Sequence, residues 1–423
     1  MKLLAVLTIV VAAAAARRSP RADYAETLMK SSTGMRFSDN IEEDATLDVP
    51  GLIAKYGYPV EVHNVVTSDG YILEAHRIPH GRDSNNTPDP NKPVVFVMHG
   101  LLSSSADFVV LGPGNAIAYL LAEAGYDVWL GNARGNFYSR RHRTLNPDSV
   151  LNKNFWRFSW DEIGNLDLPA FIDYILETTG QSKLHYMGHS QGGTSFLVLN
   201  SLRPQYNDKF ISFQGLAPAS FFDNNEVELF NRLAQYESVL ESMAFTMGFA
   251  EIFGSHESMV SFVSTFCGDS GLLANTCDLN VGNLGEREYY NATMIPVFLG
   301  HTPAGAAIRQ VAHYGQVIRN KEFRRYNHGT LQNLAAYGSL NPPIYDLSKI
   351  TVPSYLYYGL SDKEVNYKDV FKLAGRLSNV VDVIPAGRDS FNHFDFIWAN
   401  DVKQMLYQDI LVRMKERCVA IDS

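Results

Sequence analysis

The sequence predicts an α/β fold in which a mostly parallel, doubly wound sheet is interrupted by an inserted, mainly helical cap domain. Strand and helix patterns alternate from Val94 to about residue 220, the alternation stops near Phe221, and strand-like segments return after residue 345. At 423 residues, with 46% hydrophobic and 19% charged residues, the chain has the composition of a large globular protein.

The strand signals begin at Val60. "EVHNVV" and "YILEAHRI" flank the turn sequence "TSDG" and predict a hairpin. A polar loop from Asp83 to Pro93 leads to "VVFVMHG", a continuous apolar run that is typical of a buried parallel strand.

Helices and strands then alternate along the chain. "GNAIAYLLAEAG" predicts a helix, "YDVWLGN" a strand, and "DLPAFIDYILETTG" a helix that ends at Gly180. "KLHYMG", "QGGTSFLVLNSL" and "FISFQGLAPA" continue as strand, helix and strand, and "VPSYLYYGL" and "VVDVIPA" supply strands after the interruption. This order indicates βαβ units in a doubly wound sheet.

The amino terminus indicates export. Lys2 precedes an apolar run that ends in an alanine tract at Ala16, and this run is too short to span a bilayer. We expect a secreted protein, with the lysosome as the other destination, and no transmembrane segment. The expected divisions are a signal peptide (1–16), a leader or propeptide-like segment (17–45), the two parts of the core (46–220 and 346–423) and the cap (221–345).

Charge and cysteines narrow the classes of protein. The net charge of −9 argues against a nucleic-acid partner, and the absence of a metal-binding motif predicts no metal and no cofactor. Cys267 and Cys277 are close enough in sequence to close a small disulfide loop in an oxidising compartment, although three free buried thiols are the alternative. Asn85 and Asn291 begin glycosylation sequons.

"LHYMGHSQGG" carries the first chemical signal. A Gly-x-Ser-x-Gly pattern arises by chance about 0.15 times in a chain of this length, so its context decides. Ser190 follows a predicted strand and precedes a predicted helix, as a nucleophile elbow requires. We expect Gly188 and Gly192 to permit close backbone contact there, and the alternative is an ordinary glycine turn with a solvated serine.

A serine nucleophile needs a base, and position selects it from twelve histidines. In this architecture the acid and then the histidine follow the serine from loops after late strands. His393 in "SFNHFDFIW" lies after the last strand signal. Three histidines of the cap fit less well: His301, His313 and His328.

The orienting acid should follow the strand "SYLYYG". Asp362 lies three residues after Gly359, and Glu364, two positions on, is the rival. Asp395 is too near His393 in sequence to orient its ring across the site. For the oxyanion, we expect backbone N–H donors from Gln191 and from Leu101, in the loop after "VVFVMHG".

Several motifs together resemble the acid lipase family of the α/β-hydrolase superfamily, which includes gastric and lysosomal acid lipases and insect lipases. They occur in order between Asp44 and Tyr407: "HGLLSSS", "AGYDVWLGNARGN", "FWRFSWDEIGNLDLPA", "LHYMGHSQGG", "HTPAG" and "FNHFDFIWA". The resemblance places the nucleophile, acid, base and two oxyanion donors on the residues already selected, which are Ser190, Asp362, His393, Leu101 and Gln191. It also pairs Cys267 with Cys277 and leaves Cys418 over.

The resemblance implies hydrolysis of long-chain lipid esters, triacylglycerols or sterol esters, at a lipid–water interface. It implies a lid over the serine, which we place within 221–260. "SDKEV" departs from the family's usual residues, so Glu364 stays open as the acid. The alternatives are a carboxylesterase for soluble esters and a non-catalytic lipid-binding protein on the same fold. The oligomeric state is not predicted.

Overall fold

The computed structural model describes residues 18–19, 21–31, 38–83, 85–149, 151–254 and 289–422. An eight-stranded sheet organises this part of the chain. Its strands are β1 (Glu61–Val66), β2 (Ile72–Ile78), β3 (Val94–Met98), β4 (Asp127–Gly131), β5 (Leu184–His189), β6 (Phe210–Leu216), β9 (Ser354–Tyr358) and β10 (Val380–Pro385). Across the sheet they lie in the order β1-β2-β4-β3-β5-β6-β9-β10.

The sheet is mostly parallel, which confirms the predicted fold class. Strands β1, β2 and β4 pair antiparallel, and every other neighbouring pair of this sheet is parallel. Every residue of β3, β4 and β5 is buried, because helices cover both faces of a doubly wound sheet.

Three helices that connect the sheet strands lie where the sequence predicts them, at Ile117–Glu123, Leu168–Thr179 and Gln191–Leu202. One of them begins at Trp160 and passes through a π-helical turn (Ile163–Asp167) before continuing to Thr179. The helices of the core are Ile117–Glu123, Trp160–Glu162, Leu168–Thr179, Gln191–Leu202, Tyr367–Ala374, Asp395–Trp398 and Gln408–Asp422.

Between β6 and β9 the chain leaves the large sheet. Here the described residues form helices and a small two-stranded sheet, in which β7 (Glu251–Ile252) pairs antiparallel with β8 (Ala306–Ala307). We call the described residues of 221–254 and 289–345 the cap. Its helices are Glu228–Gln235, Glu237–Met247, Ile295–His301, Ile308–Asn320 and Thr330–Tyr337.

The segment before the hairpin is helical and packs on the cap. Its helices are Ala22–Ser31, Asp39–Thr46 and Val49–Lys55. A Cβ on Gly300 would lie 2.3 Å from the carbonyl oxygen of Ala45 and 3.3 Å from Cβ of Ala25, so this glycine permits the close approach. The segment that the sequence assigns to a leader therefore contributes buried side chains to the fold.

Candidate active site

Ser190 occupies the turn between β5 and the helix Gln191–Leu202. Its backbone has φ 52° and ψ −114°, a conformation that is strained for a residue with a side chain. The N–H of Ser190 donates to the carbonyl of Leu216 (2.9 Å), which anchors the turn to the end of β6. The turn therefore raises the hydroxyl at the carboxyl edge of the parallel strands.

Two glycines make this turn possible. A Cβ on Gly188 would lie 2.5 Å from the carbonyl carbon of Gly192, and a Cβ on Gly192 would lie 2.2 Å from the carbonyl oxygen of Met98. Each obstacle is backbone, which cannot move aside cheaply. The strand, the turn and the end of β3 are consequently in direct contact beneath Ser190.

His393 connects Ser190 to a carboxylate. Its Nε2 lies 2.9 Å from Oγ of Ser190, and its Nδ1 lies 2.8 Å from Oδ2 of Asp362. Since an ionised carboxylate only accepts hydrogen bonds, Nδ1 carries the proton and Nε2 of the neutral ring accepts the one from the serine hydroxyl. The three residues therefore form one continuous relay, although they are 172 and 31 residues apart in sequence (362 − 190 and 393 − 362).

The acid is held by its own loop. The other carboxylate oxygen of Asp362 accepts N–H bonds from Glu364 (3.0 Å) and Val365 (2.7 Å), just after β9. Asp362, and not Glu364, is therefore the direct partner of the ring. A carboxylate oxygen of each acid and a ring nitrogen of His393 lie within 4.8 Å of one another. Among the described residues, these three side chains are the one cluster of acidic and histidine groups close enough to share a cation.

Burial and charge act on His393 in opposite directions. Burial disfavours the imidazolium, but the carboxylate of Asp362, assisted by that of Glu364, outweighs it and raises the pKa of His393. The environment therefore stabilises the protonated ring that forms when the ring accepts a proton from Ser190.

The loop after β3 lies beside the nucleophile. A Cβ on Gly100 would be 3.3 Å from Cβ of Ser190, which places the next residue, Leu101, at the mouth of the turn. Gln191 is the first residue of its helix, where backbone N–H groups have no partner within the helix. Both positions expected to supply oxyanion donors thus flank Ser190.

A buried histidine that the sequence did not single out fixes this loop. Nε2 of His99 accepts from the N–H of Ala133 (3.1 Å), so its proton lies on Nδ1, which donates to the carbonyl of Gly100 (2.7 Å). Burial lowers the pKa of His99 to about 4, which keeps the ring neutral. Asn136, in "GNARGN", adds a bond to the same Nε2 (3.2 Å), so that motif is structural.

The cap covers the site from above. The side-chain amide of Gln191 donates to Oε1 of Gln310 (2.7 Å), and both residues are buried. Leu101 and Leu102 pack against an apolar cluster of the cap that includes Ala244 and Ile308. The loop and the residue after the nucleophile therefore both contact the inserted segment.

The rejected acid and base candidates make other contacts. His301 bonds to the carbonyl of Asp44 (2.9 Å), His313 to Ser159 and to the carbonyl of Arg324, and His328 lies against Tyr326. Asp395 accepts from Tyr290 and Arg388.

The sequence also predicts a disulfide and two glycosylation sites. Cys267 and Cys277 lie outside the described residues. Asn85 and Asn291 are both exposed, and Asn291 caps a short turn by accepting from Thr293. Sγ of Cys418 lies 3.2 Å from Nε2 of His185.

Comparison with known proteins shows the class to which the chain belongs. Residues 93–396 match the alpha/beta hydrolase fold, and residues 49–112 match the partial alpha/beta-hydrolase lipase region. The protein is therefore an α/β-hydrolase. Lipase 1 of Drosophila melanogaster is 44% identical over 88% of this chain and 80% of its own length.

Mammalian relatives are nearly as similar. Gastric triacylglycerol lipase of Bos taurus is 37% identical over 88% of this chain and 92% of its own length. The Homo sapiens protein of the same name is also 37% identical, over 88% of this chain and 92% of its own length. The chain belongs to the acid lipase family.

Proposed function

We propose that this protein is a secreted serine hydrolase that cleaves long-chain lipid esters, triacylglycerols or sterol esters, through an acyl-enzyme on Ser190. As a member of the acid lipase family, the chain is a carboxylic ester hydrolase. The observation that carries the finer proposal is the relay in which His393 lies 2.9 Å from Ser190 and 2.8 Å from Asp362.

The proposed reaction has two halves. His393 accepts the proton of Ser190 as the hydroxyl attacks the ester carbonyl, and Asp362 holds the ring and stabilises the imidazolium. The N–H groups of Leu101 and Gln191 stabilise the oxyanion. His393 then protonates the leaving alcohol, and a water molecule, activated by the same ring, hydrolyses the acyl-enzyme.

An exposed apolar stripe supports a lipid surface as the site of action. Val239, Met243 and Met247 recur every four residues on one cap helix and are 44%, 40% and 47% exposed. Residues spaced by four share a helix face. We propose that this stripe belongs to a lid within 221–260 and meets the lipid, with 221–345 as the inserted cap between core parts 46–220 and 346–423.

Export is the remaining part of the proposal. The signal peptide proposed for residues 1–16 lies outside the described residues. Among the residues that the structure does describe, no helix is long and apolar enough to cross a membrane. The Bos taurus and Homo sapiens relatives are both named gastric triacylglycerol lipase, and this name supports a lipid substrate for the present chain.

Labelling with a fluorophosphonate and assay on emulsified triolein test the proposal. We expect Ser190→Ala to lose labelling and at least about a thousandfold of the activity. Ser201→Ala is the matched control, because the buried hydroxyl of Ser201 lies in the helix that follows Ser190 and has no hydrogen-bond partner among the described residues. It should label and hydrolyse normally.

Equal labelling of Ser190→Ala and the unaltered protein would move the nucleophile elsewhere. Labelling without hydrolysis of emulsions, but with hydrolysis of dissolved short-chain esters, would favour a carboxylesterase. If the unaltered protein shows neither labelling nor turnover, the alternative that remains is a non-catalytic lipid-binding protein on the same fold.

A further inference from the structure

The base faces a second carboxylate. Glu364 lies two residues after Asp362, and a carboxylate oxygen of each acid is within 4.8 Å of the same ring nitrogen of His393 and of the other acid. Asp362 makes the direct bond to Nδ1, at 2.8 Å. Glu364 therefore interacts with His393 through charge rather than by the orienting hydrogen bond.

The backbone around Glu364 is fixed from two sides. Its N–H donates to Oδ1 of Asp362 (3.0 Å), and its carbonyl accepts from Nδ2 of Asn225 (2.9 Å), a residue at the entrance to the cap. The side chain is only partly exposed. The carboxylate is thus held near the ring in surroundings where charges are poorly screened.

We infer that Glu364 is a positioning residue that acts on His393 by its charge and sets the acid limb of the enzyme's pH profile. The inference rests on the proposed role of His393 as the base. A negative charge within about 4–6 Å of an imidazole favours its protonated form. Glu364 therefore stabilises the imidazolium during catalysis, and it also requires a higher pH before the free ring can serve as a base.

The other groups around His393 do not replace this effect. The ring of His189 has its centre 4.8 Å from that of His393, but burial, with the charge of His393, lowers its pKa well below the usual range and keeps it neutral. Asp395 is engaged by Tyr290 and Arg388. Lys363 is exposed, and its positive charge favours the ionised form of Glu364.

Glu364 and His393 also influence each other. Burial raises the pKa of Glu364, the imidazolium of His393 opposes that rise, and the carboxylate of Asp362 adds to it. Protonation of the ring consequently favours the ionised form of Glu364. The charge of Glu364 is most complete when the ring is charged, as it is when the tetrahedral intermediate forms.

Charge-removing variants provide the experiment. kcat/KM for a dissolved short-chain ester and the rate of fluorophosphonate labelling are measured against pH for Glu364→Gln and Glu364→Leu. Both should move the acid limb to lower pH by about 0.5–1 unit, because the limb of kcat/KM reports the base of the free enzyme. Glu364→Asp, which keeps the charge, should restore most of the unaltered position.

Asp389→Asn is the matched control, since Asp389 is an exposed acid in the loop that leads to His393. It should leave the limb in place. An unchanged limb in both uncharged variants, with labelling retained, overturns the inference. Hydrolysis by Ser190→Ala would instead overturn the proposed function, so the two failures are distinguishable. If Glu364→Gln does not fold, Glu364→Leu provides the same comparison with an apolar side chain.

Discussion

Asp107 is a buried acid that the proposed reaction does not use. It lies in the turn Ser105–Phe108, which follows the loop after β3, and is 2% exposed. Burial raises its pKa to about 7, and the nearby hydroxyl of Ser103 opposes that rise. The folded protein therefore carries this side chain as a neutral acid at mildly acidic pH.

The raised pKa of Asp107 predicts a stability that falls as pH rises. Between pH about 4 and about 7 the unfolded chain loses this proton while the folded chain keeps it, so the free energy of unfolding falls by up to about 4 kcal/mol. Asp107→Asn cannot titrate, and its free energy of unfolding should decline less over this range. Urea unfolding at several pH values measures the difference.

The control for this prediction is Asp208→Asn, which removes an exposed acid. It should reproduce the pH slope of the unaltered protein. If Asp107→Asn shows that same slope, Asp107 is ionised in the folded state at neutral pH and the prediction is wrong.

Side-chain chemistry near the site was partly predictable from the sequence. The Gly-x-Ser-x-Gly pattern and the order of acid and histidine select Ser190, Asp362 and His393, because the elbow and late-strand loops leave few positions for them. His99 could not be selected, since its role depends on a bond to Ala133 across the sheet edge. The charge interaction of Glu364 with His393 likewise requires coordinates.

At the scale of elements, buried strands were the most predictable. β3 occupies Val94–Met98, within the run "VVFVMHG" that predicts it. Continuous apolar runs leave little alternative to a parallel strand between helices. The cap was less predictable, because the positions of its short helices and strands depend on the surface they cover. The pairing of Glu251–Ile252 with Ala306–Ala307 is an example, as it joins residues more than fifty positions apart.

The helix Glu237–Met247 supports a prediction about interfacial action. Replacing Met243 and Met247 by serine removes apolar surface that water already reaches, so the fold should lose little stability. If the stripe meets lipid, hydrolysis of emulsified triolein should fall several-fold while hydrolysis of a dissolved ester stays unchanged. The rates of hydrolysis of emulsified triolein and of the dissolved ester, measured on the same preparation of the variant, test this prediction.

Leu331→Ser is the control for the stripe. Leu331 is 81% exposed on a different cap helix, Thr330–Tyr337. We expect it to leave both rates unchanged. A parallel loss on both substrates in the methionine variant would show that the helix supports the active site rather than binding to lipid.

At the scale of the whole molecule, the amino-terminal segment, the cap and the loop after β3 are linked. Nη1 of Arg21 donates to the carbonyl of Pro303 (3.1 Å). The next residue, Ala304, donates its N–H to the carbonyl of Leu102 (2.6 Å). Leu102 directly follows Leu101, the expected oxyanion donor. A change at Arg21, just before the first helix, therefore has a short path through these two hydrogen bonds to the loop after β3.

This connection predicts that residues 17–38 stay in the working enzyme. Their deletion uncovers the surface of the helix Ile295–His301 on which Ala25 is fully buried, and removes the Arg21 bond. We expect a lower melting temperature and a loss of activity that grows with temperature, because loosening the 300–305 turn loosens the loop that carries Leu101. Melting curves and triolein hydrolysis of the deleted and full-length proteins, both bearing the same signal peptide, measure these effects. Equal melting temperatures and activities would mean that the segment is a removable leader, since a segment whose burial stabilises the fold cannot be lost without cost.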